Sequence, residues 1–305
     1  MSYEDKGSRV ALVSGATGYI GSNLVRRMVS DHWQVHIVVR RGSNLEALTS
    51  VLDQIVVHEH NGTTKNMIDI VSNSNPEIIF HLASLFIAQH KPEDIEGLIV
   101  SNVMLSTQIA EAAVHCNIKY LINTSSSWQH FENKEYLPVN LYSATKQAFE
   151  DILKYYASSC KLKVISLVLF DTFGPNDNRS KLIPSLIRSL KTHEIIEMSK
   201  GDQLIDLVYI DDVVDAYILC FKQIEIQNES YLRYGVSSLD PMPLTKIVNL
   251  FELAFNKKLN ISWGMRPYRI NEVMVPWNKY TKIPGWMPKY SLTAGLQKMI
   301  EESNC

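Results

Sequence analysis

The stretch that decides the fold is RVALVSGATGYIGSNLVRRM, from Arg9 to Met28. Residues 10–14 form a short apolar run rich in β-branched side chains, which suits a buried strand of a parallel sheet. A turn with Gly15, Gly18 and Gly21 follows, and then Ile20, Leu24, Val25 and Met28 recur at helical spacing. Strand, glycine turn and helix in succession turn a glycine pattern into a dinucleotide fingerprint. Gly15 allows the tight turn, Gly18 lets the backbone approach a pyrophosphate, and Gly21 lets helix and strand pack closely. The anion sits on the free N–H groups at the helix start, which adds Thr17, Tyr19 and Ile20 to the expected cofactor contacts. The spacing is G-x-x-G-x-x-G rather than G-x-G-x-x-G.

Downstream, strands and helices alternate. Residues 35–39 (VHIVV) read as a second strand that ends in Arg40, Arg41 and Gly42. In a dinucleotide fold this strand end faces the adenosine ribose, where an acidic residue binds the hydroxyls and arginine accommodates a 2′-phosphate. Two arginines with no Asp or Glu point to NADPH, and a guanidinium also forks onto phosphate and stacks on adenine. Residues 55–57 and 78–82 read as the third and fourth strands, and residues 61–64 open a helix through Ile70. His81 stands at the fourth strand end without partner ligands nearby, so it reads as structural rather than metal-binding. A helix over about 98–115 carries Asn102, and a fifth strand begins at 120–123. The alternation, without repeats or a low-complexity linker, predicts an α/β fold of Rossmann type with a doubly wound parallel sheet.

The totals narrow the class. A chain of 305 residues buries a sizeable core as one large domain or two coupled ones. A net charge of −2 exerts no general pull toward nucleic acid or anionic membrane. Cys116, Cys160, Cys220 and Cys305 are widely spaced with no CxxC, which argues against a zinc site and for reduced thiols in cytoplasm. The first residues, MSYEDKGSR, lack the apolar core of a signal peptide, and no apolar run approaches the roughly 20 residues that span a bilayer.

The fifth strand runs into Thr124-Ser125-Ser126-Ser127, and ligands bind outside the carboxyl ends of such strands. Fifteen residues after Ser127 comes Tyr142-Ser-Ala-Thr-Lys146. On a helix, Tyr142 and Lys146 share a face. An ammonium beside a phenol favours phenolate and lowers a pKa of about 10. That makes Tyr142 a usable proton donor and acceptor near neutral pH.

Taken together, GATGYIG, HLAS, the TSSS strand end, YSATK, FGP (173–175) and YIDDVVDA (209–216) resemble, in order, the motifs of the extended short-chain dehydrogenase/reductases of the NAD-dependent epimerase/dehydratase type. The resemblance covers about residues 9–299. It implies a catalytic triad of Ser127, Tyr142 and Lys146, with Asn102 in support. Ser127 is preferred to Ser126 because the family's serine or threonine stands four residues before an aromatic, here Phe131. It extends the expected cofactor contacts to Asn61, Gly62, Leu82, Ala83, Ser84 and Asn102. It assigns residues 1–170 to the NAD(P)-binding domain, with a return of about 204–235 to the sheet, and the rest of 171–305 to a smaller substrate-binding lobe. There Ser126, Ser127, Asp171, Arg179, Lys181 and Arg269 are the expected substrate contacts, with Arg269 on the nucleotide diphosphate. Asp211 and Asp212 read as helix caps and Trp286 as core packing. Relatives form homodimers through two helices near Asn102 and Tyr142. Ile109, Ala112, Ala113, Phe149 and Leu153 serve either that interface or internal packing.

The departures are informative. Ile205-Asp206 stands where many relatives have Arg-Asp, so one diphosphate contact is missing, and Asp171 replaces a frequent Asn. Sugar-nucleotide dehydratases follow the catalytic threonine with Asp-Glu, whereas Trp128-Gln129 follow Ser127, and neither does acid–base work. A 4,6-dehydratase is therefore not expected. The run RINEVMVPWNKYTKIPGW resembles bacterial enzymes of O-antigen biosynthesis that make CDP-linked 3,6-dideoxyhexoses by reducing a 4-keto sugar. The resulting expectation is an NADPH-dependent reductase of a sugar nucleotide. A nucleotide-sugar epimerase with tightly bound NAD is the alternative, followed by a non-catalytic dinucleotide sensor.

Overall fold

The computed structural model describes residues 9–303. Cys305 and the N-terminal residues before Arg9 lie outside the described part. In chain order the elements are β1 (Val10–Ser14), α1 (Tyr19–Ser30), β2 (Gln34–Arg40), β3 (Ile55–His60), α2 (Thr64–Ser74), β4 (Ile78–His81), α3 (Ile95–Ile99), α4 (Leu105–His115), β5 (Tyr120–Ser126), α5 (Leu141–Ser159) and β6 (Lys163–Leu169). They continue with β7 (Asp171–Phe173), α6 (Leu182–Thr192), β8 (Ile196–Met198), β9 (Leu204–Ile205), β10 (Leu207–Tyr209), α7 (Ile210–Ile226), β11 (Tyr231–Val236), β12 (Met242–Pro243), α8 (Leu244–Phe255), β13 (Ile261–Trp263) and α9 (Leu292–Ser303).

Among the described residues, packing divides the chain into two units: residues 9–125, 141–168 and 214–234 form one, and residues 126–140, 169–213 and 235–303 form the other. The seven-stranded sheet runs in the order β3-β2-β1-β4-β5-β6-β11. The pairs β1–β2, β1–β4, β2–β3 and β4–β5 are parallel. This is the doubly wound order, with its topological switch between β1 and β4. Val13, Ile37, Ile79, Phe80 and Ile122 are buried to 1 % exposure or less, as expected for strands covered on both faces. α2, α4 and α5 close one face through Met67, Val71, Ile109, Ala113, Phe149 and Leu153.

Boundaries move where side-chain chemistry overrides pattern. Thr63 caps α2 by accepting from Asn66 N, so the helix starts at Thr64, not at Asn61. The expected helix over 98–115 is part of a longer helical run from Pro92 to His115, interrupted by a π-helical turn over Val100–Met104. By length and composition this run resembles a membrane span, but Leu98, Asn102, Ile109, Ala110, Ala112 and Ala113 are buried within the first unit. It is a core helix.

In the second unit, β7 pairs in parallel with β10, β8 in parallel with β13, and β9 antiparallel with β12. α9 packs at Gly295, where a Cβ would lie 2.7 Å from Phe173 and 2.8 Å from Tyr209. Asp211 and Asp212 lie in the first turn of α7, where carboxylates suit the helix dipole, and both also reach the C-terminal segment. Asp212 accepts from the backbone N–H groups of Lys289 (2.9 Å) and Tyr290 (3.1 Å), and Trp286 donates to its carbonyl. Asp211 pairs with Lys298 at 2.6 Å. These carboxylates therefore hold the C-terminal segment. Trp286 is 8 % exposed, a packing residue as expected.

Candidate active site

The glycine turn is built as its sequence implies. Gly15 has a φ of +74°, and a Cβ there would lie 2.5 Å from Ala83 N. The turn is thus pressed against the loop after β4. A Cβ on Gly21 would lie 2.1 Å from Gly15 O, so α1 seats directly on the turn. Gly18 is the N-cap of α1 and supplies no side-chain cap. The first N–H groups of a helix have no intrahelical acceptor, which is the condition for holding a pyrophosphate. Leu82 N donates to Ser14 O (3.0 Å), fixing the β4 end beside β1. Asn61 and Gly62 form the turn before α2, with Gly62 O accepting from Gln108. At the end of β2, Arg40 and Arg41 are exposed, and among the described residues neither guanidinium has a hydrogen bond or ion pair. The residues present fit a dinucleotide.

Tyr142 and Lys146 lie one turn apart at the start of α5. The ring of Tyr142 meets Phe86 edge-on at 4.9 Å. Lys146 is 3 % exposed; burial lowers its pKa to about 8, against an opposing pull from Glu150. Asn102, on the π-helical turn, is 1 % exposed. Its amide accepts from Leu85 N (2.7 Å) and Ser84 Oγ (3.2 Å), and donates to Leu85 O and Thr145 Oγ1 (3.0 Å each). It therefore ties the loop after β4 to the residue preceding Lys146. A π turn re-aims one side chain out of helical register, which is why such turns gather at functional sites.

His81 is fully buried between Ser14 Oγ (2.7 Å) and Ser106 Oγ (2.8 Å). Burial, then the charge of Lys146, pushes its pKa down to about 3, so the imidazole is neutral. Its structural role agrees with the reading of an isolated histidine; its link between the β1 end and α4 has no local sequence signal. Sequence reasoning also missed Glu150, Tyr231 and Arg233. Glu150 was visible only as an acidic residue four positions after Lys146.

The second unit holds the remaining candidates. Ser126 Oγ caps a single 3₁₀ turn over Ser127–Gln129 by accepting from Trp128 N (3.3 Å), and Ser126 N donates to Gln129 Oε1. The hydroxyl of Ser127 has no partner among the described residues. Lys181 Nζ lies 3.0 Å from Asp171 Oδ1 and 5.6 Å from the Trp128 ring centre, and Arg269 Cζ lies 5.5 Å from the same ring. The fold thus brings Asp171, Lys181 and Arg269 together around an indole that sequence reasoning regarded only as a replaced acid. Arg179 is engaged by Asp177 (2.8 Å) and Thr172 O (2.9 Å), which makes it a brace for its loop. Asp206, after the divergent Ile205, is buried and accepts from Ser237 and Ser238; burial raises its pKa. A cavity of about 290 Å³ in this unit, lined by Leu207, Met242 and Tyr290 among others, includes none of the candidate site residues.

Known proteins resemble this chain in sequence and fold. The model of the NAD dependent epimerase/dehydratase family matches residues 11–232. The chain is 28 % identical to a CDP-abequose synthase of Yersinia pseudotuberculosis over 277 residues, 89 % of this chain and 93 % of that one. It is 27 % identical to a CDP-abequose synthase of Salmonella typhimurium, covering 95 % and 97 % of the two chains. Among solved structures, the UDP-glucose 4-epimerase of Thermotoga maritima with UDP-glucose superposes with a TM-score of 0.85 at 21 % identity, over 96 % and 98 % of the chains. MoeE5 in complex with UDP-glucuronic acid and NAD gives 0.83 at 23 % identity, over 98 % and 99 %. The family model covers most of the chain, and this chain belongs to the NAD dependent epimerase/dehydratase family.

Proposed function

We propose that this protein uses NADPH to reduce the 4-keto group of a nucleotide-linked deoxysugar, a CDP-4-keto-3,6-dideoxyhexose, in the cytoplasm of a bacterium that builds such sugars into surface polysaccharide. The observation that carries the reductive reading is the pair of uncommitted guanidiniums of Arg40 and Arg41 at the β2 end, with no acidic residue beside them. That chemistry suits a 2′-phosphate, the mark of NADPH. The relatives named CDP-abequose synthase, matched over most of the chain, support the CDP-linked sugar.

When bound, the nicotinamide supplies hydride to the carbonyl carbon. Gly15, Thr17, Gly18, Tyr19, Ile20 and Gly21 hold its pyrophosphate, with Asn61, Gly62, Leu82, Ala83 and Ser84 along the dinucleotide. Tyr142 delivers a proton to the developing alkoxide, and Lys146 holds the ribose and favours the phenolate afterwards. Ser127 donates a hydrogen bond to the same oxygen. Its unpartnered hydroxyl favours it over Ser126, whose oxygen caps the turn. Lys181 and Arg269 bind the diphosphate, and Asp171 orients Lys181. Tyr142→Phe should abolish consumption of NADPH with 4-keto sugar nucleotides while leaving dinucleotide binding nearly intact; normal turnover by that variant refutes the mechanism.

A second reading is a nucleotide-sugar epimerase with permanently held NAD. It is supported by the solved 4-epimerases that share this fold. Purified protein carrying stoichiometric NAD, and no net NADPH oxidation with any keto sugar, would select that reading.

A further inference from the structure

We propose that Glu150 is a positioning residue for Lys146: a buried carboxylate, braced from β11, that keeps the ammonium charged and directed along the face of α5 that carries Tyr142. The proposal rests on the reading above that Lys146 works beside Tyr142. Tyr142, Lys146 and Glu150 follow at four-residue intervals on α5, so one stripe of the helix carries all three. Lys146 is 3 % and Glu150 0 % exposed. A buried ammonium is costly unless an opposite charge accompanies it. Burial lowers the lysine to about 8, and the charge that opposes this comes from Glu150.

The carboxylate is itself held in place. Tyr231 and Arg233 are two apart on β11 and project to the same side of the sheet. Arg233 Nη1 lies 3.7 Å from Glu150 Oε2. Burial, followed by the charge of Glu150, drives the Tyr231 phenol well above its ordinary range, so it remains a neutral hydrogen-bonding group. Its hydroxyl donates to Ser166 Oγ (3.1 Å), which also accepts from Asn123 Nδ2 (3.0 Å). One carboxylate therefore interacts with two cations, and Tyr231, Ser166 and Asn123 form a chain of neutral groups on the β11 side. Among the described residues, Lys146 interacts electrostatically with Glu150 on α5 and with His81 on β4, which is neutral, and Tyr142 shares its stripe of the helix. Glu150 in turn interacts with Lys146, Arg233 and Tyr231. Glu150 is thus the one negative charge among them, and without it the ammonium that tunes Tyr142 has no buried counter-charge.

The test is a ¹³C NMR titration of the cofactor-free full chain, with the Lys146 Cε signal assigned through Lys146→Met. In the wild type, Lys146 should be charged at pH 7 and titrate near 8. Glu150→Gln, checked for folding by circular dichroism, should lower that midpoint by about one unit or more, and Glu150→Asp should recover most of it. The alkaline limb of turnover should move to lower pH in step. An unchanged Lys146 midpoint in folded Glu150→Gln overturns the proposal. So does a neutral Glu150 carboxyl at pH 7 in the wild type, a reading that needs no variant to fold. Because the titration uses cofactor-free protein, failure of the wild type to reduce any keto sugar would remove the proposed reaction without touching this result.

Discussion

At the scale of single residues, Arg40 and Arg41 carry charges that nothing in the described chain neutralises. Exposed guanidiniums left unpaired at a strand end are placed to meet a phosphate, and a charge-assisted hydrogen bond is worth about 1.5–3 kcal/mol. Replacing both with alanine should raise KM for NADPH by roughly ten- to a hundredfold and leave KM for NADH nearly unchanged. Steady-state kinetics with the two dinucleotides decides this, and equal effects would show that the arginines do not read the 2′-phosphate. Ser126 and Ser127 show how neighbours of identical chemistry separate in use: the first hydroxyl closes a turn and the second is left available.

At the scale of elements, the helical run from Pro92 to His115 does two things. Its inner side is core: Ile109, Ala112 and Ala113, together with Phe149 and Leu153 on α5, are buried to 1 % or less, so none of these five serves an interface. Its outer side exposes Ile95 (43 %), Ile99 (43 %), Val100 (55 %) and Met104 (49 %). Exposed apolar residues grouped on one helical run suit a partner surface, and we propose that this is the homodimer face. Ile99→Glu should convert the protein to a monomer with its secondary structure retained, as read by light scattering and circular dichroism. A monomeric wild type would refute the assignment. The π-helical turn within the same run turns Asn102 toward the loop after β4, while the flanking turns keep the apolar register.

At the scale of the whole molecule, stability should depend on pH through buried histidine. An unfolded histidine titrates near 6.5, whereas burial depresses His81 to about 3. Between those values the unfolded chain takes up a proton that the folded chain refuses. Stability present above about pH 6.5 is therefore lost as pH falls toward 3, by up to about 1.4 kcal/mol per unit for one group. His36 and His58, also lowered by burial, add in the same direction. In His81→Gln, melting temperatures between pH 7 and 4 should decline less steeply than in the wild type, even if the variant is less stable at pH 7. Equal slopes would remove His81 as the cause. The alternation of strands and helices, the glycine turn and the Tyr142–Lys146 stripe were all legible in the sequence. Each depends on period, steric size or spacing within one or two turns, properties the chain carries locally. The tertiary structure decided what depends on residues far apart: His81 between Ser14 and Ser106, Asp212 beneath Lys289 and Tyr290, Trp128 beside Lys181 and Arg269, and Glu150 against Arg233. A buried polar group must find a partner, and which one it finds is set by how the elements pack, something no local pattern of residues encodes.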